Sequence, residues 1–157
     1  MKRKTGGVLS LGGVALALAA AAQSLFQQSA VLGTAYLILA SLSIPVVLYA
    51  FCARCPDRGD CGHVLPGPAA AALFSKRKCA PYSAGDLTLT LSALAVLLVF
   101  PQIWLWRHPI AFGVFWILMA VSVAGIRSGV CPGCRNVHCP GHPGRKPRAG
   151  SSKGVRS

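Results

Sequence analysis

Four uncharged apolar stretches constrain the fold of this chain more than any other feature. They cover residues 8–26, 30–51, 87–106 and 109–126. A hydrocarbon core about 30 Å thick needs roughly 20 apolar residues in a helix. Backbone amides in lipid must be bonded within the chain, so these stretches predict helices. Charged residues are 12% of the chain, against about 25% in a soluble domain. The sequence predicts an all-α integral membrane protein.

Very short turns join these helices in pairs. Residues 27–29 separate the first two, and Arg107 and His108 separate the last two, which predicts a four-helix bundle of two antiparallel hairpins. All 16 Lys and Arg residues except Arg107 lie at the opposite helix ends. The positive-inside rule therefore predicts that both termini are cytoplasmic if the first helix is retained. The composition, rich in Ala, Gly and Arg, suggests a bacterial protein and hence an inner-membrane location. The bundle is expected to span residues 1–130, with an inner loop at 52–85.

The positions of the basic residues also bear on partners. A net charge of +13 is compatible with nucleic-acid binding. The Lys and Arg residues, however, lie between or outside the apolar stretches. We therefore expect the lipid bilayer to be the partner of this protein, and we expect no binding to a specific nucleic acid. The tail, residues 143–157, is rich in Gly, Ser and basic residues, and we expect it to be disordered.

The first apolar stretch has a second interpretation. Three basic residues precede it, and Ala20, Ala21 and Ala22 end a run that resembles the apolar region of a secretory signal. Residues 1–22 are then a cleaved signal peptide instead of part of a retained helix. Both alternatives leave the orientation of the later helices unchanged.

Cysteine and histidine residues form two clusters at the predicted inner face. The first cluster follows the second helix, and the second cluster, residues 131–142, follows the fourth. The members are Cys52, Cys55, Cys61 and His63 in the first, and Cys131, Cys134, His138, Cys139 and His142 in the second. Each cluster begins with a Cys-x-x-Cys pair. Such a pair directs two thiolates at one ion, and two pairs supply the tetrahedral set that zinc prefers.

Zinc is the metal that this pattern favours, and an iron–sulfur cluster is the alternative, because soft thiolates suit both. Cys131-Pro-Gly-Cys134 resembles the knuckle turns of zinc ribbons. A single site of Cys52, Cys55, Cys131 and Cys134 is the simplest arrangement, but two separate sites completed by the other ligands remain open. Loops this short form no hydrophobic core and usually need a metal or disulfide.

Three functions follow from these residues. The leading hypothesis is a non-enzymatic membrane protein whose cytoplasmic metal face staples the hairpins and docks a cytoplasmic or membrane protein partner. The second is an iron–sulfur electron-transfer subunit. The third is a membrane thiol–disulfide oxidoreductase, since the chain resembles the DsbB and vitamin K epoxide reductase proteins in helix count and paired cysteines. With three acidic residues in all, the sequence favours a protein without catalytic acids.

Overall fold

The computed structural model describes residues 2–134, Asn136 and Cys139. These residues are all-helical and contain no strand, which confirms the predicted fold class at that level. The helices are α1 Lys2–Gln28, α2 Ala30–Ala50, α3 Pro66–Leu73, α4 Ala84–Val99, α5 Gln102–Leu105 and α6 Pro109–Gly125. The predicted ligands His138 and His142 and the predicted tail, residues 143–157, lie outside the described residues.

Four helical stretches are long and apolar enough to cross a membrane, as predicted. They are Lys4–Gln28, Ala30–Arg54, Ala84–Leu105 and Pro109–Val130. Most of these stretches are longer than the apolar stretches read from the sequence. The first helix, for example, begins at Lys2 instead of residue 8. Ser29 is the single residue between α1 and α2, and its Oγ accepts the Val31 N–H at 3.2 Å. This N-cap explains how two long helices can follow each other with so short a turn.

The third stretch is interrupted at Pro101, which separates α4 from α5. Proline has no N–H, so the carbonyl of Leu97, four residues earlier, loses its helical donor. The buried Tyr36 hydroxyl of α2 donates to that carbonyl at 3.1 Å. The Gln102 side chain donates to the Leu98 carbonyl at 2.7 Å. Both carbonyls are therefore satisfied from within the protein, as a hydrocarbon environment requires.

Positions with little or no side chain line the contact between α1 and α6. A Cβ atom added to Gly125 of α6 would lie 2.7 Å from the Ser10 Oγ of α1. A Cβ atom on Gly13 of α1 would collide with the Ser122 hydroxyl of α6. α1 also packs against α2, and α2 packs against α4. Small residues allow helix backbones to approach closely, which is how helices associate in lipid.

Gly13→Val tests this close approach. The added side chain meets Ser122, so we expect the variant to lose about 1–3 kcal/mol of stability, the usual cost of overpacking. Gly12→Val is the matched control, because a Cβ atom at Gly12 meets nothing within 4 Å. Thermal unfolding in detergent measures both variants. Equal unfolding temperatures for the two would show that α1 and α6 do not touch there.

Candidate metal site

The two Cys-x-x-Cys pairs adopt the same backbone turn. Cys52–Arg54 and Cys131–Gly133 are each a single turn of 3₁₀ helix at the end of a long helical stretch. In both turns the N–H of the second cysteine donates to the carbonyl of the first at 3.1 Å. The second cysteines are extended, with φ −72° and ψ 128° at Cys55 and φ −83° and ψ 133° at Cys134. The two Cys-x-x-Cys pairs, which share only their cysteine spacing in the sequence, thus match closely in backbone conformation.

A π-helical turn positions the second pair. Ile126–Val130 continues α6 as a π turn, and the Cys131 N–H donates to the Ile126 carbonyl. π turns inside α-helices occur frequently at functional sites, because they rotate the residues that follow them. Here the turn lies against α1 and sets the direction in which the second cysteine pair leaves the bundle.

The first residues of α1 contact a backbone segment next to each cysteine cluster. A Cβ atom on Gly7 would collide with the carbonyl of Gly62, which lies between Cys61 and His63. A Cβ atom on the adjacent Gly6 would lie 3.9 Å from the Gly129 Cα, two residues before Cys131. The two glycines therefore let the inner loop and the π turn approach the same end of α1. We call this end of the bundle the cysteine end.

Asn136 joins the second cluster to the first. Its side chain is buried, and Nδ2 donates to the Tyr82 hydroxyl at 3.0 Å and to the Cys55 Sγ at 3.5 Å. Tyr82 in turn stacks on Phe51, with ring centroids 4.7 Å apart. Asn136, two residues after Cys134, thus holds the chain that carries the second pair against the first pair.

The thiols of both clusters are close enough to influence one another's charge. Burial is the largest effect and raises the pKa of Cys55. Hydrogen bonds from the Asp57 backbone and from Asn136 lower this pKa in part, and the charges of Cys134 and Cys61 raise it by smaller amounts. Burial likewise raises the pKa of Cys131, with further contributions from Cys139 and Cys134. All of these thiols are half-buried and form no disulfide. The raised pKa values of Cys55 and Cys131 favour their neutral thiols, because burial disfavours the charged form.

The structure brings the predicted cysteine ligands to one end of the bundle but does not bring them to a single point. Cys52, Cys55, Cys61, Cys131, Cys134 and Cys139 lie on the turns and loop of the cysteine end, and a hydrogen bond from Asn136 to the Cys55 Sγ links the two clusters. His63 is half-buried in the same loop. Within the described part of the chain, however, no three His, Cys, Asp or Glu side chains converge closely enough to hold a metal ion. The thiol chemistry fits a soft metal, while metal binding itself stays a prediction.

Arg58 organises the inner loop beside a small apolar cluster, in which Ala53 and Ala70 of the loop pack with Leu48 of α2. The expectation that so short a loop forms no hydrophobic core is therefore wrong where the loop meets α2. Its guanidinium donates to four backbone carbonyls, those of Ala53, Phe74, Ser75 and Arg77, at 3.0–3.4 Å. These carbonyls come from both ends of the loop, so one side chain closes it. A fork of five donors makes arginine suited to this task.

Asp86 attaches the loop to α4. It forms a capping box with Ser83 at the start of α4. It also pairs with Arg77, Nη2 to Oδ1 at 2.6 Å, and with Arg54, Nε to Oδ2 at 3.1 Å. The Arg77 guanidinium lies 3.6 Å from the centre of the Tyr49 ring. Both arginines looked like topology determinants in sequence, and no sequence signal pairs them with this carboxylate.

Asn136 and Tyr82 are the site residues that sequence reasoning missed. Neither belongs to a recognisable motif, and their contact joins positions 54 residues apart. Burial raises the pKa of Tyr82, and the charges of Cys55, Cys139 and Cys52 raise it further, so its hydroxyl stays neutral beside the thiols.

The raised pKa of Cys55 predicts a pH dependence for the metal-free protein. Its alkylation by iodoacetamide, followed by mass spectrometry, is expected to reach half-maximal rate above pH 9.0, the value for an unperturbed thiol. The folded protein holds the Cys55 thiol proton more tightly than the unfolded chain does. The neutral Cys55 thiol therefore contributes fully to the free energy of unfolding below pH 9.0. This contribution is lost as the pH rises from there through the folded pKa.

A cysteine-containing peptide, alkylated in the same buffers, is the reference for this measurement. A Cys55 midpoint at or below that of the peptide would contradict the burial and the neighbouring thiols that the structure shows.

Comparison with known proteins assigns no family. No protein-family model matches the chain, and no curated protein or solved structure matches it. The resemblances to zinc-ribbon knuckles and to DsbB-like proteins gain no support from these comparisons. A functional conclusion must therefore come from the chemistry of the residues at the cysteine end.

Proposed function

We propose that this chain is a small polytopic membrane protein whose cytoplasmic Cys/His face binds zinc and thereby staples two helical hairpins. The observation that carries the proposal is the matched pair of Cys-x-x-Cys turns, at the ends of α2 and α6, with the second held against the first by Asn136. The metal face would also offer a docking surface to a cytoplasmic or membrane protein partner.

Apolar side chains on the outer surface of the helices support membrane insertion. Val31 of α2 is 76% exposed and Ile110 of α6 is 83% exposed, and many other large apolar side chains on these helices are also exposed. A soluble bundle would hide such residues from water, whereas lipid accommodates them. The basic residues at the cysteine end support a cytoplasmic orientation for that end through the positive-inside rule.

The electrostatics of the thiols support a bound cation. Half-buried thiols that raise one another's pKa resist becoming thiolates together. A coordinated metal ion reverses this preference, because its charge deprotonates the thiol outright. Zinc would supply structural cross-linking and no redox chemistry.

The residues that would hold the metal come from both clusters. Cys52 and Cys55 belong to the turn after α2, and Cys131 and Cys134 belong to the turn after α6. Cys61, His63, His138, Cys139 and His142 are the further candidates for completing one site or a second one. In zinc-finger peptides structural zinc contributes about 10–16 kcal/mol to folding, which is large beside the stability of a small bundle.

Metal analysis of paired serine variants tests the proposal. The protein is purified anaerobically in detergent, and we expect about one or two zinc ions per chain, the range open to this ligand set. If one ion bridges the clusters, Cys52→Ser/Cys55→Ser and Cys131→Ser/Cys134→Ser each abolish binding of that ion. If two separate sites exist, each double variant loses only its own ion.

Cys79→Ser is the matched control. Cys79 is exposed, and its thiol donates to the Cys55 carbonyl at 3.5 Å instead of pointing a sulfur lone pair at the cluster. The control is therefore expected to retain all its zinc. Iron with acid-labile sulfide would replace this proposal with the electron-transfer alternative. A protein that binds no metal and has freely reactive thiols would refute metal binding.

A further inference from the structure

We propose that a pocket at the cysteine end, lined by Tyr49, Leu73, Phe74, Ser75, Lys76 and Arg77, binds the headgroup of an anionic phospholipid. The pocket has a volume of about 410 Å³, within the range of roughly 300–1,000 Å³ that ligand pockets occupy. It is separate from the cysteine clusters, and the proposal does not depend on metal binding.

The pocket lies at the level where a bilayer meets water. Tyr49 is near the end of the Ala30–Arg54 stretch, and α3 folds back so that Phe74 packs edge-on against Tyr49, with centroids 5.3 Å apart. Leu73, the last residue of α3, is 67% exposed beside it. Tyrosine rings and amphipathic segments are typical of the headgroup level.

The lining of the pocket is amphiphilic in the way that a lipid headgroup region is. Tyr49, Leu73 and Phe74 present apolar surface suited to the glycerol and the upper acyl chain. Ser75 and Lys76, both exposed, present a hydroxyl and an ammonium suited to a phosphate. A soluble anion would contact only Ser75 and Lys76. The apolar surface beside them therefore favours a lipid as the ligand.

The charge around the pocket is positive even after its internal ion pairs are counted. Arg77 forms one wall, and its guanidinium shares the Asp86 carboxylate with Arg54. Two cations thus share one anion, which leaves a net positive charge in this group, and Arg77 brings that group to the wall of the pocket. Lys76 and the neighbouring exposed Lys78 add to it. Lysine and arginine near a membrane surface attract anionic lipids.

The Arg77 side chain is fixed in place before any lipid arrives. Its stacking on Tyr49 at 3.6 Å and its 2.6 Å bond to Asp86 hold the guanidinium in one orientation. Its side chain is only 15% exposed, so little rotamer freedom remains to be lost on binding. Lys76, by contrast, is exposed and free of such contacts among the described residues, and it is the group to which a phosphate would pair.

Lipid retention in nanodiscs tests the proposal. The full chain is placed in nanodiscs of equal parts phosphatidylglycerol and phosphatidylcholine, then released and examined by native mass spectrometry. We expect retained phosphatidylglycerol to exceed retained phosphatidylcholine. Lys76→Gln is expected to lower this preference about fivefold, the effect of one lysine near an anionic surface, and Lys76→Glu to abolish it.

Lys4→Gln is the matched control. Lys4 is exposed at the same end of the bundle, in α1, and lies outside the pocket, so the variant removes the same charge. Its lipid preference is expected to stay near that of the unmodified chain. Equal losses in Lys4→Gln and Lys76→Gln would overturn the proposal in favour of general surface attraction.

Two further results would also overturn it. One is equal retention of the two lipids by the unmodified chain. The other is displacement of phosphatidylglycerol by free glycerol phosphate at matched concentration, which would make the site one for a soluble phosphate. Zinc content, measured in the same samples, is expected to be unchanged by Lys76→Gln, so failure here leaves the proposed metal face untouched.

Discussion

The close approach of α1 to α6 is the contact on which the arrangement of the cysteine end depends. Helices in lipid gain little from hiding apolar surface from each other, so short backbone distances and dense packing must hold them. Gly13 and Gly125 provide those short distances, each against a serine of the opposite helix. At the end of the same interface, Gly6 and Gly7 admit the π turn and the inner loop. One end of α1 thus contacts both the π turn before Cys131 and the part of the inner loop around Gly62.

Polar side chains supplement a small apolar cluster in the inner loop. Ala53 and Ala70 of the loop are fully buried and pack with Leu48 of α2, but a loop of this length buries little apolar surface in all. Arg58 binds carbonyls from both of its ends, and Asp86 receives two arginines and a cap. These contacts fix the loop on α4 and α2. The zinc ion proposed above would add a link between the loop and the segment after α6, beside the hydrogen bonds of Asn136.

The sequence predicts the helices well and the loop contacts poorly. Apolar length and lack of charge are local properties, so the four long helices follow from them directly. The Ser83–Asp86 cap is local as well, because it needs only a serine and an acid three residues apart. The matched turns also follow from local spacing, since a Cys-x-x-Cys pair needs only one turn. The pairing of Arg54 and Arg77 with Asp86 depends on how the loop folds back, which no pattern encodes. The same holds for Asn136 and Tyr82.

The most direct measurement is cross-linking of Cys55 to Cys134 in native membranes, in a variant whose other five cysteines are serine. A short, membrane-permeant bismaleimide is applied, and the linked peptides are identified by mass spectrometry. The arrangement described above predicts an intramolecular Cys55–Cys134 link. A variant that keeps Cys134 and carries His108→Cys in place of Cys55 is the control, because these positions lie at opposite ends of α6. A yield of the Cys55–Cys134 cross-link no greater than the yield in this control would contradict the contact between the two cysteine turns.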